Sequence, residues 1–137
     1  RDELTLGFEL DIYELGQQLY PRNPRVLDGL VSAYSAAGRH EDSLRSVARL
    51  IELEPDNQDA LYNLATAFTY DGQGEKSLPY FARLDSLGTP FAEVPMNHAS
   101  ALLAAGRLEE AARQAAKALK LERGPARRRP RSRTIRS

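Results

Sequence analysis

Gly38, Gly72 and Gly106 lie 34 residues apart, and each follows a segment in which apolar residues recur every three or four positions. This apolar spacing is typical of one face of an α-helix. Because glycine readily takes the left-handed conformation that ends a helix, each of the three glycines predicts a turn between two helices. A helical hairpin repeated without insertions predicts a stack in which each copy buries its apolar face against the next.

The 34-residue period divides most of the chain into three units, residues 24–57, 58–91 and 92–125. Pro21 precedes Pro55 by the same 34 residues, so we expect residues 1–23 to hold the second helix of an incomplete leading unit. Within that helix Leu10, Tyr13, Gly16 and Leu19 fit the repeat register. An unpaired helix leaves an apolar face uncovered, so the chain is either a piece of a longer array, which we favour, or uses that edge as an interface.

The composition excludes several classes of protein. With no cysteine among its 137 residues, the chain has neither disulfides nor thiolate metal sites. No apolar run approaches the ~18 residues that cross a bilayer, so we expect no membrane span, and the first residues do not resemble a signal peptide. These features favour a cytoplasmic protein and leave export open.

The units resemble the tetratricopeptide repeat (TPR), which places large apolar or aromatic residues and small residues at fixed positions of a 34-residue hairpin. The positions that match are Leu27, Leu30, Tyr34 and Pro55 in the first unit, Leu61, Leu64, Ala65, Phe68 and Phe81 in the second, and Ala99, Ala111 and Ala118 in the third. The resemblance implies an all-α, right-handed superhelix of about three and a half repeats with seven helices. It also implies a non-enzymatic scaffold that binds an extended or helical segment of a partner protein in a concave groove.

In this family the first helix of each unit lines the groove, so the resemblance assigns the candidate site residue by residue. Carried over by position, the lining is Arg25, Asp28, Gly29, Ser32, Ser35, Ala36, Asp59, Tyr62, Asn63, Thr66, Thr69, Tyr70, Glu93, Met96, Asn97, Ser100, Leu103 and Ala104. Asn63 and Asn97 share a position from which an amide can hydrogen-bond the backbone of an extended peptide. Asp28 and Glu93 would repel the carboxylate that one TPR subgroup clamps, so we expect a neutral or basic ligand.

Two prolines and a histidine depart from the family pattern. Pro95 and His98 occupy positions where the family has large apolar groups, and Pro95 predicts a helix start between residues 93 and 95, with distortion of the third unit nearby. Pro79 predicts a distorted or delayed helix in the second unit.

A search for catalytic, metal-binding or cofactor-binding residues yields none. The chain has two histidines, no cysteine and no glycine-rich phosphate loop. His98 lies on the inward face of a helix, where a packed histidine is the common case, and His40 has no partner histidine at metal-binding spacing. The sequence therefore predicts neither an enzyme nor a bound cofactor.

The net charge of zero conceals a segregation, because residues 1–122 hold all 19 acidic residues and 12 of the 19 basic ones. The tail, residues 126–137, holds Arg127, Arg128, Arg129, Arg131, Arg133 and Arg136 and no acid. Its low apolar content predicts no order without a partner. A solvated terminus, a targeting signal, a nucleic-acid arm and an arm that docks on the acidic body all stay open. As an alternative function, the chain self-associates through its N-terminal helix or this tail.

Overall fold

A computed structural model describes residues 2–123, which form seven α-helices and no strand. The helices are α1 (Glu3–Leu19), α2 (Pro24–Ala36), α3 (His40–Leu53), α4 (Gln58–Tyr70), α5 (Gly74–Ser86), α6 (Glu93–Ala104) and α7 (Leu108–Arg123). The predicted all-α fold is thereby confirmed. None of these helices is both long enough and apolar enough to span a membrane.

The helices form two compact units, residues 2–60 and residues 61–123 of the described chain, with the boundary inside α4. In the first unit α1 packs on α2 and α2 packs on α3. In the second unit α5 packs on α6 and α6 packs on α7. Each unit therefore consists of helices packed against their neighbours in sequence.

Gly38, Gly72 and Gly106 end α2, α4 and α6, with φ angles of 74°, 75° and 76°. At the first turn the Arg39 N–H donates to the carbonyl of Tyr34 at 2.9 Å, and the equivalent bonds close the other two turns at 2.8 Å. A left-handed glycine with this bond satisfies carbonyls that the helix end would leave unpaired. Helices α2, α4 and α6 therefore end at intervals of 34 residues, which accounts for the period seen in the sequence.

The first unit is organised around α2. The Asn23 side chain accepts hydrogen bonds from the backbone N–H groups of Arg25 and Val26 at 2.9 and 3.2 Å, which caps the helix. The buried apolar residues of α2 and α3 are Leu27, Leu30, Val31, Ala33, Val47 and Leu50. On its other side, Gly29 lies so close to the Tyr13 ring that a Cβ atom there would overlap it.

The core of the second unit contains Phe81 and Leu84 of α5, which are completely buried. The Phe81 ring stacks on the imidazole of His98 in α6, with centroids 5.3 Å apart. Gly74 lets the start of α5 approach α6, since a Cβ atom there would lie 3.1 Å from the Ala101 carbonyl oxygen. These contacts join α5 and α6 through ring stacking and close approach of the helix backbones.

The two prolines have different consequences. Pro95 lies in the first turn of α6, which begins at Glu93, where the missing N–H has no helical partner. Pro79 lies inside α5, yet α5 begins at Gly74 and continues to Ser86, so the expected delay of the helix start does not occur. Pro79 and Glu75, whose carbonyl would otherwise receive the missing bond, are both exposed, so water can hydrogen-bond that carbonyl.

Candidate functional site

Groove positions of α4 and α6 meet within the second unit. The amide nitrogen of Asn97 donates a hydrogen bond to the hydroxyl oxygen of Tyr62 at 2.9 Å. Tyr62, Thr66 and Tyr70 follow one another at intervals of four on α4, so they share one side of that helix. Met96, Ser100 and Leu103 share one side of α6 in the same way. We call these six residues, with Asn63, Glu93 and Asn97, the α4–α6 face.

Several polar groups of the α4–α6 face donate their hydrogens to the helix that carries them. The Thr66 hydroxyl donates to the Tyr62 carbonyl at 2.8 Å, and the Ser100 hydroxyl donates to the Met96 carbonyl at 3.3 Å. The second amide hydrogen of Asn97 goes to the Glu93 carbonyl at 2.9 Å. Donors engaged with the helix backbone in this way contribute less to binding the backbone of a peptide.

The apolar groups of the same face are open to solvent. Tyr70, Met96 and Leu103 are between 53% and 80% exposed. Met96 and Leu103 lie on one side of α6, and large apolar side chains exposed on the same side of a helix mark interaction surfaces more often than isolated ones do. Tyrosine and methionine also suit such surfaces, because an aromatic ring offers area with few rotatable bonds and methionine adapts to irregular shapes.

The groove positions in the first unit are polar. Arg25 and Asp28 of α2 are exposed, Ser32 is half-buried, and their spacing places all three on one side of the helix. Asp59 is exposed in the first turn of α4, where a carboxylate is stabilised by the helix dipole. These residues present charge, with no large apolar group among them.

The surroundings of the buried histidine, His98, indicate a structural role. Burial lowers the pKa of His98 below its ordinary value, while the carboxylates of Asp85 and Glu110 oppose that shift. The ring is stacked on Phe81, so His98 is part of the core of its unit. His40 is exposed at the start of α3. Between residues 2 and 123, no three His, Cys, Asp or Glu side chains are grouped so that they could hold a metal ion.

The arginines predicted as a basic site, Arg127 to Arg136, lie outside the described residues. Sequence reasoning predicted an uncovered apolar face on the N-terminal helix but, apart from Leu19, did not name the residues that form it. Leu4, Phe8, Ile12, Leu15 and Leu19 are all exposed and lie on one side of the helix. Their spacing of four, four, three and four residues is visible in the sequence and could have identified them.

Comparison with known proteins places the fold. No protein-family model and no curated protein matches the chain. Among solved structures, MamA AMB-1 in crystal form P212121 is similar, with a TM-score of 0.77 and 21% identity over 85% of this chain and 64% of that one. MamA MSR-1 in form C2 gives a TM-score of 0.71 and 19% identity over 86% of this chain and 68% of that one.

A further crystal structure of MamA has a TM-score of 0.71 and 20% identity, and covers 82% of this chain. The chain spans only 62% of the length of that structure. MamA is a TPR-like protein, so the likeness confirms a TPR-like fold. At sequence identities near 20%, the likeness supports a conclusion about the fold and none about activity.

Proposed function

We propose that the chain is a non-enzymatic scaffold for protein interactions and that its α4–α6 face binds an apolar segment of a partner protein. The observation that carries this proposal is the exposure of Tyr70, Met96 and Leu103 at positions from which TPR proteins contact their ligands. The TPR-like fold of the MamA neighbours supports the same class of function. Solenoids of helical hairpins use such surfaces for binding.

The hydrogen bonds of the α4–α6 face favour a helical partner segment over an extended one. An extended peptide needs donors and acceptors for its own backbone, whereas a helical segment satisfies its backbone internally. Thr66, Asn97 and Ser100 direct their donors to carbonyls of their own helices or to Tyr62. Recognition would therefore rest on apolar side chains of the partner that pack against Tyr70, Met96 and Leu103.

The charge on the α4–α6 face favours a neutral or basic segment. Glu93, the one charged residue of the α4–α6 face, is acidic. Opposite charges around an interface increase the association rate and exclude partners of the wrong sign. Acidic segments would therefore be selected against.

Selection from a displayed library of random peptides tests this proposal. Peptides enriched on the wild-type protein would be measured against Met96→Ser and Leu103→Ser by fluorescence anisotropy. If these side chains are central contacts, each variant should bind at least about tenfold more weakly, as expected for buried anchors of an interface. We avoid substituting Tyr62, because it is almost buried and bonded to Asn97, so its loss would disturb packing as well as binding.

Leu119→Ser is the matched control, since Leu119 lies on α7 and is 56% exposed, nearly as much as Leu103. Its affinity for the selected peptides should equal that of the wild type. Circular dichroism should show unchanged helix content in all three variants. Peptides that bind Met96→Ser and Leu103→Ser as tightly as the wild type would refute the α4–α6 face as the binding surface.

Two alternatives from the sequence stay hypotheses. Binding of nucleic acid depends on the tail, residues 127–136, which lies outside the described part of the chain. Self-association depends on that tail or on α1. Neither alternative involves the α4–α6 face, so the peptide selection gives its answer independently of them.

A further inference from the structure

One side of α1 is a continuous apolar surface that the described residues of the first unit, 2–60, leave exposed. Leu4, Phe8, Ile12, Leu15 and Leu19 are each between 55% and 73% exposed. At 1.5 Å per residue, the distance from the first to the last of them is roughly 22 Å, or about four helical turns. We call this set of five residues the α1 stripe.

The α1 stripe is separate from the side of α1 that packs on α2. Tyr13 lies against Gly29, and the carboxylate of Glu14 accepts a hydrogen bond from the Tyr34 hydroxyl at 2.7 Å. At 100° per residue these contacts fall outside the arc that the α1 stripe occupies. The helix therefore holds its place in the unit with one side and presents the other side to solvent.

The charge on α1 is of one sign. Residues 2–20 contain five acids, Asp2, Glu3, Glu9, Asp11 and Glu14, and no Lys, Arg or His. Asp11 is exposed and adjoins the α1 stripe, since it is next to Ile12 and four residues before Leu15. An anionic lipid surface would be repelled by these carboxylates, and so would a second copy of α1 laid along the first.

We propose that the α1 stripe docks an amphipathic helix of a partner protein, with its apolar side on the stripe and lysine or arginine along its flanks. An amphipathic helix laid on an apolar surface is recognised by anchors spaced three and four residues apart, which is the spacing of the stripe itself. A basic flank would pair with Asp11, the carboxylate that adjoins the α1 stripe, and fix the orientation. This surface belongs to α1 and is distinct from the α4–α6 face.

Two synthetic peptides test the proposal directly. Each is an 18-residue helix with leucine on one side, and the flanks carry lysine in one peptide and glutamate in the other. Fluorescence anisotropy at low salt should show that the lysine peptide binds at least about tenfold more tightly than the glutamate peptide. Added salt should reduce that difference, because screening weakens exposed charge pairs.

Substitutions in the protein locate the site. Phe8→Ser and Ile12→Ser should each weaken the lysine peptide at least about tenfold, whereas Leu119→Ser on α7 should leave its affinity unchanged. Asp11→Lys should weaken it more than Glu75→Lys, which makes the same change of charge at an exposed site on α5. All of these residues are exposed, so the fold should survive each substitution, and circular dichroism checks this.

Three results would overturn the proposal. The first is equal binding of both peptides, and the second is binding that Phe8→Ser does not reduce. The third is concentration-dependent self-association that Phe8→Ser abolishes and the lysine peptide does not displace, measured by sedimentation velocity. That result would assign the α1 stripe to a second copy of the chain.

Discussion

α1 and α5 occupy equivalent places in the 34-residue register of the sequence, but their surroundings differ. No residue of α1 is buried, and α1 packs on α2. α5 contacts three helices through a Phe68–Tyr80 ring stack with α4, the Phe81–His98 stack with α6, and an Asp85–Lys117 ion pair with α7. Phenylalanine is therefore buried on α5, at Phe81, and exposed on α1, at Phe8.

The difference shows what determines burial in a fold of this type. Both helices have large apolar residues, and only contacts with neighbouring helices decide whether those residues stabilise the fold or remain available for binding. Surfaces of the two kinds respond oppositely to substitution. Truncation of a covered residue should lower stability, whereas truncation of an exposed one should affect binding.

The largest expected effect comes from paired truncations of the two phenylalanines. Phe81→Ala should lower the free energy of unfolding by about 3–5 kcal/mol, because it removes a fully buried ring and leaves a cavity beside His98. Phe8→Ala should change it by less than about 0.5 kcal/mol, as an exposed residue. Urea unfolding followed by circular dichroism measures both. Similar losses for the two variants would mean that α1 is as well covered as α5.

A second pair of substitutions tests the covered side of α1. A methyl group at Gly29 would overlap the Tyr13 ring, so Gly29→Ala should destabilise the contact between α1 and α2 by about 1–3 kcal/mol. A methyl group at Gly7 would meet no atom of another element within 4 Å, so Gly7→Ala should instead stabilise α1 by about 0.5–1 kcal/mol. Hydrogen exchange of the α1 amides should become faster in the first variant and slower in the second. If the exchange rates changed in the same direction in both variants, the result would contradict packing of α1 on Gly29.

The sequence predicted the helix ends well because they depend on local chemistry. The left-handed glycines and the proline in the first turn of α6 act through backbone conformation within a few residues. The effect of Pro79 on α5 was harder to predict. It depends on whether the Glu75 carbonyl, which Pro79 leaves without its helical hydrogen bond, faces water or protein. That exposure is a property of tertiary packing.

The candidate site was less accessible to sequence reasoning. The repeat register places Tyr62 and Asn97 at groove positions, but it does not show that they bond to each other across α4 and α6. Nor does it show that Thr66 and Ser100 donate to their own helices. The repeat register predicts the side of a helix on which a residue lies. Which acceptor its side-chain donor bonds to depends on its rotamer and on neighbouring residues.

The smallest expected effect concerns the polar contact between α1 and α2. Tyr34→Phe removes the hydrogen bond to Glu14 and keeps the ring under the Arg39 guanidinium, which lies 4.8 Å from the ring centroid. The loss of stability should be about 0.5–1.5 kcal/mol, since Glu14 is only half-buried and water can replace the hydroxyl. Tyr70→Phe, which removes the same group from an exposed ring, should have almost no effect.

The contribution of Tyr34 should also depend on pH. Burial, reinforced by the bond to Glu14, raises the pKa of Tyr34 from 10.0 to about 12. Between these values the unfolded chain loses the tyrosine proton before the folded one does, so this stabilisation is complete below pH 10 and is lost as the pH rises towards 12. The difference in stability between wild type and Tyr34→Phe should therefore narrow across that interval in alkaline urea titrations. A constant difference would mean that the hydroxyl is solvated and that α1 is attached to α2 by apolar contacts alone.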